Sequence, residues 1–185
     1  MKVVKFGGSS LASATQLAKV LQIIKEDSER RFVIVSAPGK RNAQDTKVTD
    51  ALIKYYRDHV AGNDVTKHQQ WIIQRYQDMA IELELKPNIL ERISKSIQKL
   101  ASLPIENNKF LYDTFLAAGE NNNAKLIAAY FSQNGINARY VHPREAGLIV
   151  SSEPGNARLL PSSYDKIEEL NEADEVLIIP GFFGV

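Results

Sequence analysis

Four short stretches of this 185-residue chain carry side chains suited to chemistry on a charged small molecule. The first is Lys5-Phe6-Gly7-Gly8-Ser9. Gly7 and Gly8 have no Cβ, so a phosphate can come close to their backbone N–H groups, and a helix starting just after them would turn its positive end to the anion. Lys5, two residues earlier, could place an ammonium beside the oxygens of a transferring phosphoryl group, where charge stabilisation does most of the catalytic work. The spacing is neither that of a P-loop nor that of a dinucleotide fingerprint. A tight strand–helix turn with a solvated lysine accounts for the same residues equally well. The second stretch is Ser36-Ala37-Pro38-Gly39, where Ser36 could meet a ligand or simply cap a loop. The third centres on Glu120, which follows Gly119 and is flanked by Ala117, Ala118 and Ala124. A carboxylate there needs water or a cationic partner, and a substrate ammonium would serve; a surface glutamate at a helix junction fits as well. The fourth is Pro180-Gly181-Phe182-Phe183-Gly184, whose aromatic rings read as partly core.

Several chemistries are excluded. The chain has no cysteine, so a disulfide scaffold, a thiolate metal site and a cysteine nucleophile are out. His59, His68 and His142 share no metal-ligand spacing, and no metal-binding residues are assigned. With 23 basic against 22 acidic side chains there is no nucleic-acid footprint, and no run approaches the length of a membrane span. The opening Met1-Lys2-Val3-Val4-Lys5 is too short and too polar for a secretory signal, which predicts a cytoplasmic protein. An apolar fraction of 44% over this length predicts one domain with a real core.

The elements that must position these residues follow from pattern. Val3, Val4 and Phe6 form a short strand ending at the two glycines, with Ser9 and Ser10 standing where a helix N-cap belongs. A helix is predicted from about Ala12 to Glu26, its stripe made by Leu17, Val20, Leu21 and Ile24. Phe32 to Val35 is a β-branched run expected to be buried on both faces and parallel to the first strand. Helical spacing returns from Thr49 to His59, and Asp64 to Leu103 reads as a helical insertion divided at Pro87. Helix is then expected over Phe110–Ala118, broken at Gly119 and Glu120, and again over Ala124–Phe131 with Gly135 as C-cap. Ala138–Val141 is a strand, Gly147–Leu160 a β-hairpin, Pro161 to about Asn171 a short helix, and Val176–Ile179 the last strand. Three strand ends thus run into glycine or serine turns, and in open α/β sheets such ends share one crevice.

Taken together, Lys5–Ser10 (KFGGSS), the VIVSAPGK run ending at Lys40, Thr46–Asp50 (TKVTD), Ala118–Glu120 (AGE), Glu145–Arg158 (EAGLIVSSEPGNAR) and Ile178–Gly184 (IIPGFFG) resemble the aspartokinase branch of the amino-acid kinase superfamily, in the family's order and nearly end to end. The resemblance implies a three-layer α/β/α sandwich with a mainly parallel central sheet and a helical insertion. It implies transfer of the ATP γ-phosphoryl group to the side-chain carboxylate of L-aspartate, with Mg2+ bridging phosphates, as the first step of lysine, threonine and methionine biosynthesis. By motif, Lys5 is similar to the catalytic lysine, Gly7, Gly8 and Ser9 to the phosphate-holding turn, and Ser36, Thr49, Glu120 and Phe182 to the aspartate contacts, with Glu120 taking the substrate's ammonium.

The chain departs from the family pattern at Asn121, Asn122 and Asn123, where small and apolar residues are usual. It is also expected to be the amino-acid-binding N-terminal part of a catalytic domain, without the nucleotide-binding half or the regulatory domains of the ACT type, and to have little kinase activity alone. The parent is expected to be a homo-oligomer, with this piece self-associating through apolar residues left at a truncated sheet edge after the final strand. Two other readings stay open: a relative phosphorylating glutamate, acetylglutamate or a nucleotide, and a non-catalytic binding module.

Overall fold

A computed structural model describes residues 1–185, apart from the side chain of Glu172. Four strands form one parallel sheet: β1 (Lys2–Phe6), β2 (Arg30–Val35), β3 (Ala138–Tyr140) and β4 (Val176–Pro180), in the spatial order β1-β2-β4-β3. Lys5 stands opposite Ile34, and Val35 opposite both Phe6 and Pro180, so the C-terminal ends of β1, β2 and β4 finish level. Alternation along β2 and β4 divides the core. Val33, Val35 and Ile178 face the larger cluster with the main helices, whereas Phe32, Leu177 and Ile179 face Val141, Ala146, Leu148 and Leu170. Helices therefore cover both faces, as the three-layer expectation required.

The larger layer contains α1 (Ala14–Lys25), α2 (Val48–Val60), α3 (Thr66–Glu82), α4 (Pro87–Lys99) and α5 (Leu111–Gln133); α6 (Ser162–Glu169) leads towards the other face. The insertion is helical and divided at Pro87, which takes the first position of α4, where its missing N–H costs nothing. Fully buried Ile72, Tyr76, Ile93 and Ile97 knit it to Tyr55 of α2 and Phe115 of α5, so it shares the main core. Gly135, with φ of 82°, follows the end of α5 in the left-handed conformation that favours glycine.

Four expectations need correction or refinement. The helix after β1 does not start at Ser9 or Ser10: a 3-10 turn over Gly8–Leu11 comes first, and Ser13 caps α1 by accepting from the Gln16 N–H at 3.4 Å. Helix α5 is not interrupted at Gly119 and Glu120; it runs unbroken for 23 residues, because packing on both sides outweighs the propensity cost of one glycine. The predicted hairpin is present but short: its arms meet at one antiparallel bridge, Val150 to Leu159, through Ser151 N–H to Arg158 O and Leu160 N–H to Ile149 O at 2.8 Å each, and its first arm also pairs with the chain end through Val150 N–H to Val185 O and Val185 N–H to Leu148 O, both 2.9 Å. Finally, β4 is paired on both sides, so no open sheet edge follows the last strand; the edges are β1 and β3.

Candidate active site

The turns after β1 and β2 pack backbone on backbone. The Gly39 N–H donates to the Gly8 carbonyl at 2.8 Å, and a Cβ on Gly39 would lie 2.6 Å from Gly8 C and 2.8 Å from Ser9 N. Only glycine fits there. Gly7 is extended (φ −80°, ψ 168°), and among the described residues the N–H groups of Gly7, Gly8 and Ser9 meet no hydrogen-bond acceptor. Three successive donors are thus free at a corner where Lys5, Gly7 and Ser9 reach solvent.

Helix α5 brings Glu120 to this corner. A Cβ on Gly119 would come within 3.0 Å of both Ala37 Cβ and Leu52 Cδ1, so the glycine lets the helix lean against the Ser36–Ala37 turn. Two buried side chains hold it there: Tyr76 donates its hydroxyl hydrogen to the Gly119 carbonyl at 2.7 Å, and Asn123 Nδ2 donates to the Ser36 carbonyl at 2.7 Å. Tyr140 donates to Asn121 Oδ1 at the outer side of the helix. Two of the three asparagines that depart from the family pattern therefore anchor the helix. Asn122 is also fully buried, and neither of its amide atoms has a partner among the described residues.

Burial pushes the Glu120 carboxyl up to about 7, opposed by the Ala37 N–H, the Lys5 ammonium and the Phe182 N–H. Among the described residues none of these closes a well-formed hydrogen bond, and Oε2 is buried with no partner. Lys5 shares its sheet face with Ile34, so its influence on Glu120 passes around the C-terminal edge of the sheet. The carboxyl is short of cations and donors, which suits it to receive a ligand's ammonium.

The structure thus brings together Lys5, Gly7, Gly8, Ser9, the Ser36 turn, Glu120 and the backbone of Phe182. Phe182 is 61% exposed, so it is not the partly core residue its sequence suggests. Thr49 lies in the first turn of α2, whose start is tied to the same region by Val48 N–H to Pro38 O at 3.1 Å, but no described contact joins its side chain to Lys5 or Glu120. Two cavities, of about 640 Å³ between α1, α3 and α5 and about 210 Å³ between α4, α5 and β3, lie away from this corner. Sequence reasoning missed Tyr76, Asn123 and Arg75. Arg75 had a readable signal, since it falls on the same helical stripe as Ile72, Tyr76 and Met79, an apolar position occupied by a charge.

Fold and site define an α/β protein of the kind that binds small charged molecules at the carboxyl ends of parallel strands, with an anion-ready corner beside a cation-ready carboxyl. The chain belongs to the amino acid kinase family, which matches residues 1–185. It is similar to aspartokinase 3 of Bacillus subtilis (strain 168), at 48% identity over 184 residues that cover 100% of this chain and 40% of that protein. The crystal structure of Clostridium acetobutylicum aspartate kinase matches with a TM-score of 0.77 at 31% identity, covering 98% of this chain and 39% of that one. E. coli aspartokinase III, solved with aspartate and ADP, shares the fold with a TM-score of 0.73 at 20% identity over 98% of this chain and 40% of that one. The chain spans about 40% of the length of these relatives. No helix among the described residues is long and apolar enough to cross a membrane.

Proposed function

We propose that this chain supplies the aspartate-holding and phosphate-holding parts of an aspartokinase, which transfers the γ-phosphoryl group of ATP to the side-chain carboxylate of L-aspartate. The observation that carries the reading is the half-buried Glu120 carboxyl, poised near neutrality and within electrostatic reach of Lys5, beside a corner of free backbone donors. The 48% identity to an aspartokinase supports the choice of aspartate over other acids. Glu120, once ionised, pairs with the substrate's ammonium, while Ser36, Thr49 and Phe182 surround the rest of the amino acid. The N–H groups of Gly7, Gly8 and Ser9 hold nucleotide phosphates, and the Lys5 ammonium neutralises charge that develops on the transferring group. A carboxylate oxygen of the substrate attacks phosphorus in line; the new O–P bond forms as the bond to the ADP oxygen breaks, and its electron pair leaves on ADP. No protein nucleophile is required, because the protein's work is placement and charge compensation. Among the described residues no group of three carboxylate or imidazole side chains is placed to hold a metal. Magnesium, arriving on the nucleotide's phosphates, would lower their negative charge.

Calorimetric titration of the purified chain with L-aspartate, L-glutamate and succinate tests the reading. Aspartate is expected to bind best, and Glu120→Gln to weaken it about 10- to 100-fold, the range for losing a hydrogen bond between charged partners. Succinate, which lacks the ammonium, binding as well as aspartate would remove the role given to Glu120.

A further inference from the structure

Arg75 belongs to α3, in the helical insertion, yet its guanidinium ends beneath the phosphate-side corner. The residue is 2% exposed. Its NH2 donates both to the Ala12 carbonyl at 2.6 Å, one residue beyond the Gly8–Leu11 turn, and to the Gly39 carbonyl at 2.8 Å, in the turn after β2. Its NH1 stands 3.2 Å from Asp45 Oδ2. Asp45 is fixed in turn by Arg41, which donates from its backbone N–H at 2.8 Å, from Nε at 2.9 Å and from NH2 at 3.0 Å. A guanidinium out of water is costly unless partners compensate it, and here the compensation comes from the two turns that meet at Gly8 and Gly39 and from the loop that follows them. Between the two segments the described backbone ties are the Gly39 N–H to Gly8 carbonyl bond at 2.8 Å and, where the strands end, the Ser36 N–H to Phe6 carbonyl bond at 3.2 Å. Arg75 adds a tie from below: its NH2 nitrogen donates to both carbonyls at once, while NH1 on the same planar guanidinium faces the Asp45 carboxylate.

We propose that Arg75 is a positioning residue for phosphate binding: by gripping the Ala12 and Gly39 carbonyls from within the core, it sets the spacing of the glycine corner, and hence where phosphates lie relative to Glu120. The phosphate part of this inference rests on the function proposed above. Sealed inside the protein, Arg75 does not touch the nucleotide itself, and it makes the helical insertion part of the site's frame.

The test compares the wild-type chain with Arg75→Met and Asp45→Asn by amide hydrogen exchange, and by titration with tripolyphosphate as a probe of phosphate-tail binding. Both variants are expected to speed exchange at Ser10 and Gly39, whose N–H groups donate to the Gly7 and Gly8 carbonyls, at least tenfold while leaving Ile127 and Phe131 in α5 unchanged, and to weaken tripolyphosphate at least tenfold with L-aspartate affinity within twofold. Exchange that rises evenly through the chain, or a corner that exchanges as in wild type, overturns the proposal. If Arg75→Met fails to fold, Asp45→Asn carries the comparison with the guanidinium still in place. Wild-type chain that ignores tripolyphosphate counts against the function proposed above, whereas the exchange measurement still decides whether Arg75 holds the corner.

Discussion

The Glu120 carboxyl has an ordinary value of 4.5 and sits at about 7 in the folded chain, with burial as the main cause. The folded state therefore keeps a proton that the unfolded chain has released between those two values, so this group's contribution to stability is present below pH 4.5 and is lost as pH rises through 7. Fully sealed, the shift would correspond to about 3 kcal/mol, and because part of the side chain meets solvent, roughly half of that is expected. Urea titrations at pH 5 and pH 8 should show the wild type losing this amount relative to Glu120→Gln; parallel profiles for the two proteins would contradict the assignment. Binding runs the other way: an ammonium needs the ionised form, so L-aspartate affinity should rise from pH 6 to pH 8 with release of a proton, visible as different calorimetric heats in two buffers. Lys5, Ser36 and Glu120 were legible because strand ends and a carboxylate among alanines are local patterns. Arg75, Tyr76 and Asn123 were not, because their partners at Ala12, Gly119 and Ser36 lie 63, 43 and 87 positions away.

Among the elements, the two glycine turns are the most tightly constrained. An alanine at position 39 would drive its Cβ into the backbone of Gly8 and Ser9, where no side-chain rotation can relieve it. Gly39→Ala should therefore cost about 1–3 kcal/mol in urea unfolding, the usual range for overpacking, and should also abolish tripolyphosphate binding by parting the turns. Loss of binding without loss of stability would mean that the turns separate more easily than this geometry allows. The strands and the divided insertion could be read from β-branched runs and from Pro87. The start of α1 could not, since Ser9, Ser10 and Ser13 are all plausible caps and only the 3-10 turn over Gly8–Leu11 decides between them. The continuity of α5 was hidden for a related reason: Gly119 and three asparagines weaken local helix propensity, and contacts with Ala37, Leu52, Ser36 and Tyr140 restore it.

For the whole molecule, strand order was the least legible property, because β4, last in the chain, inserts between β2 and β3 and meets its neighbours only through long-range contacts. That insertion puts β3 at one edge of the sheet; β1 is the other, and there Lys2 and Lys5 discourage pairing with another chain. It also places the Ser36 turn between the other two strand ends, so the site depends on the entire sheet and on the helices that press upon it. The insertion is part of this unit: Ile93 of α4 is fully buried in the same cluster as Val33 of β2 and Phe131 of α5. Ile93→Ala should cost about 2–5 kcal/mol, the range for emptying such a position. If the core is continuous, the loss must appear everywhere at once. Trp71 of α3 reports on the insertion by fluorescence, and amide exchange at Val33 reports on the sheet; both should give the same destabilisation, as cooperative unfolding of one unit demands. An early Trp71 transition with Val33 still protected would instead make the insertion a separate folding unit, unable to hold Arg75 beneath the glycine corner.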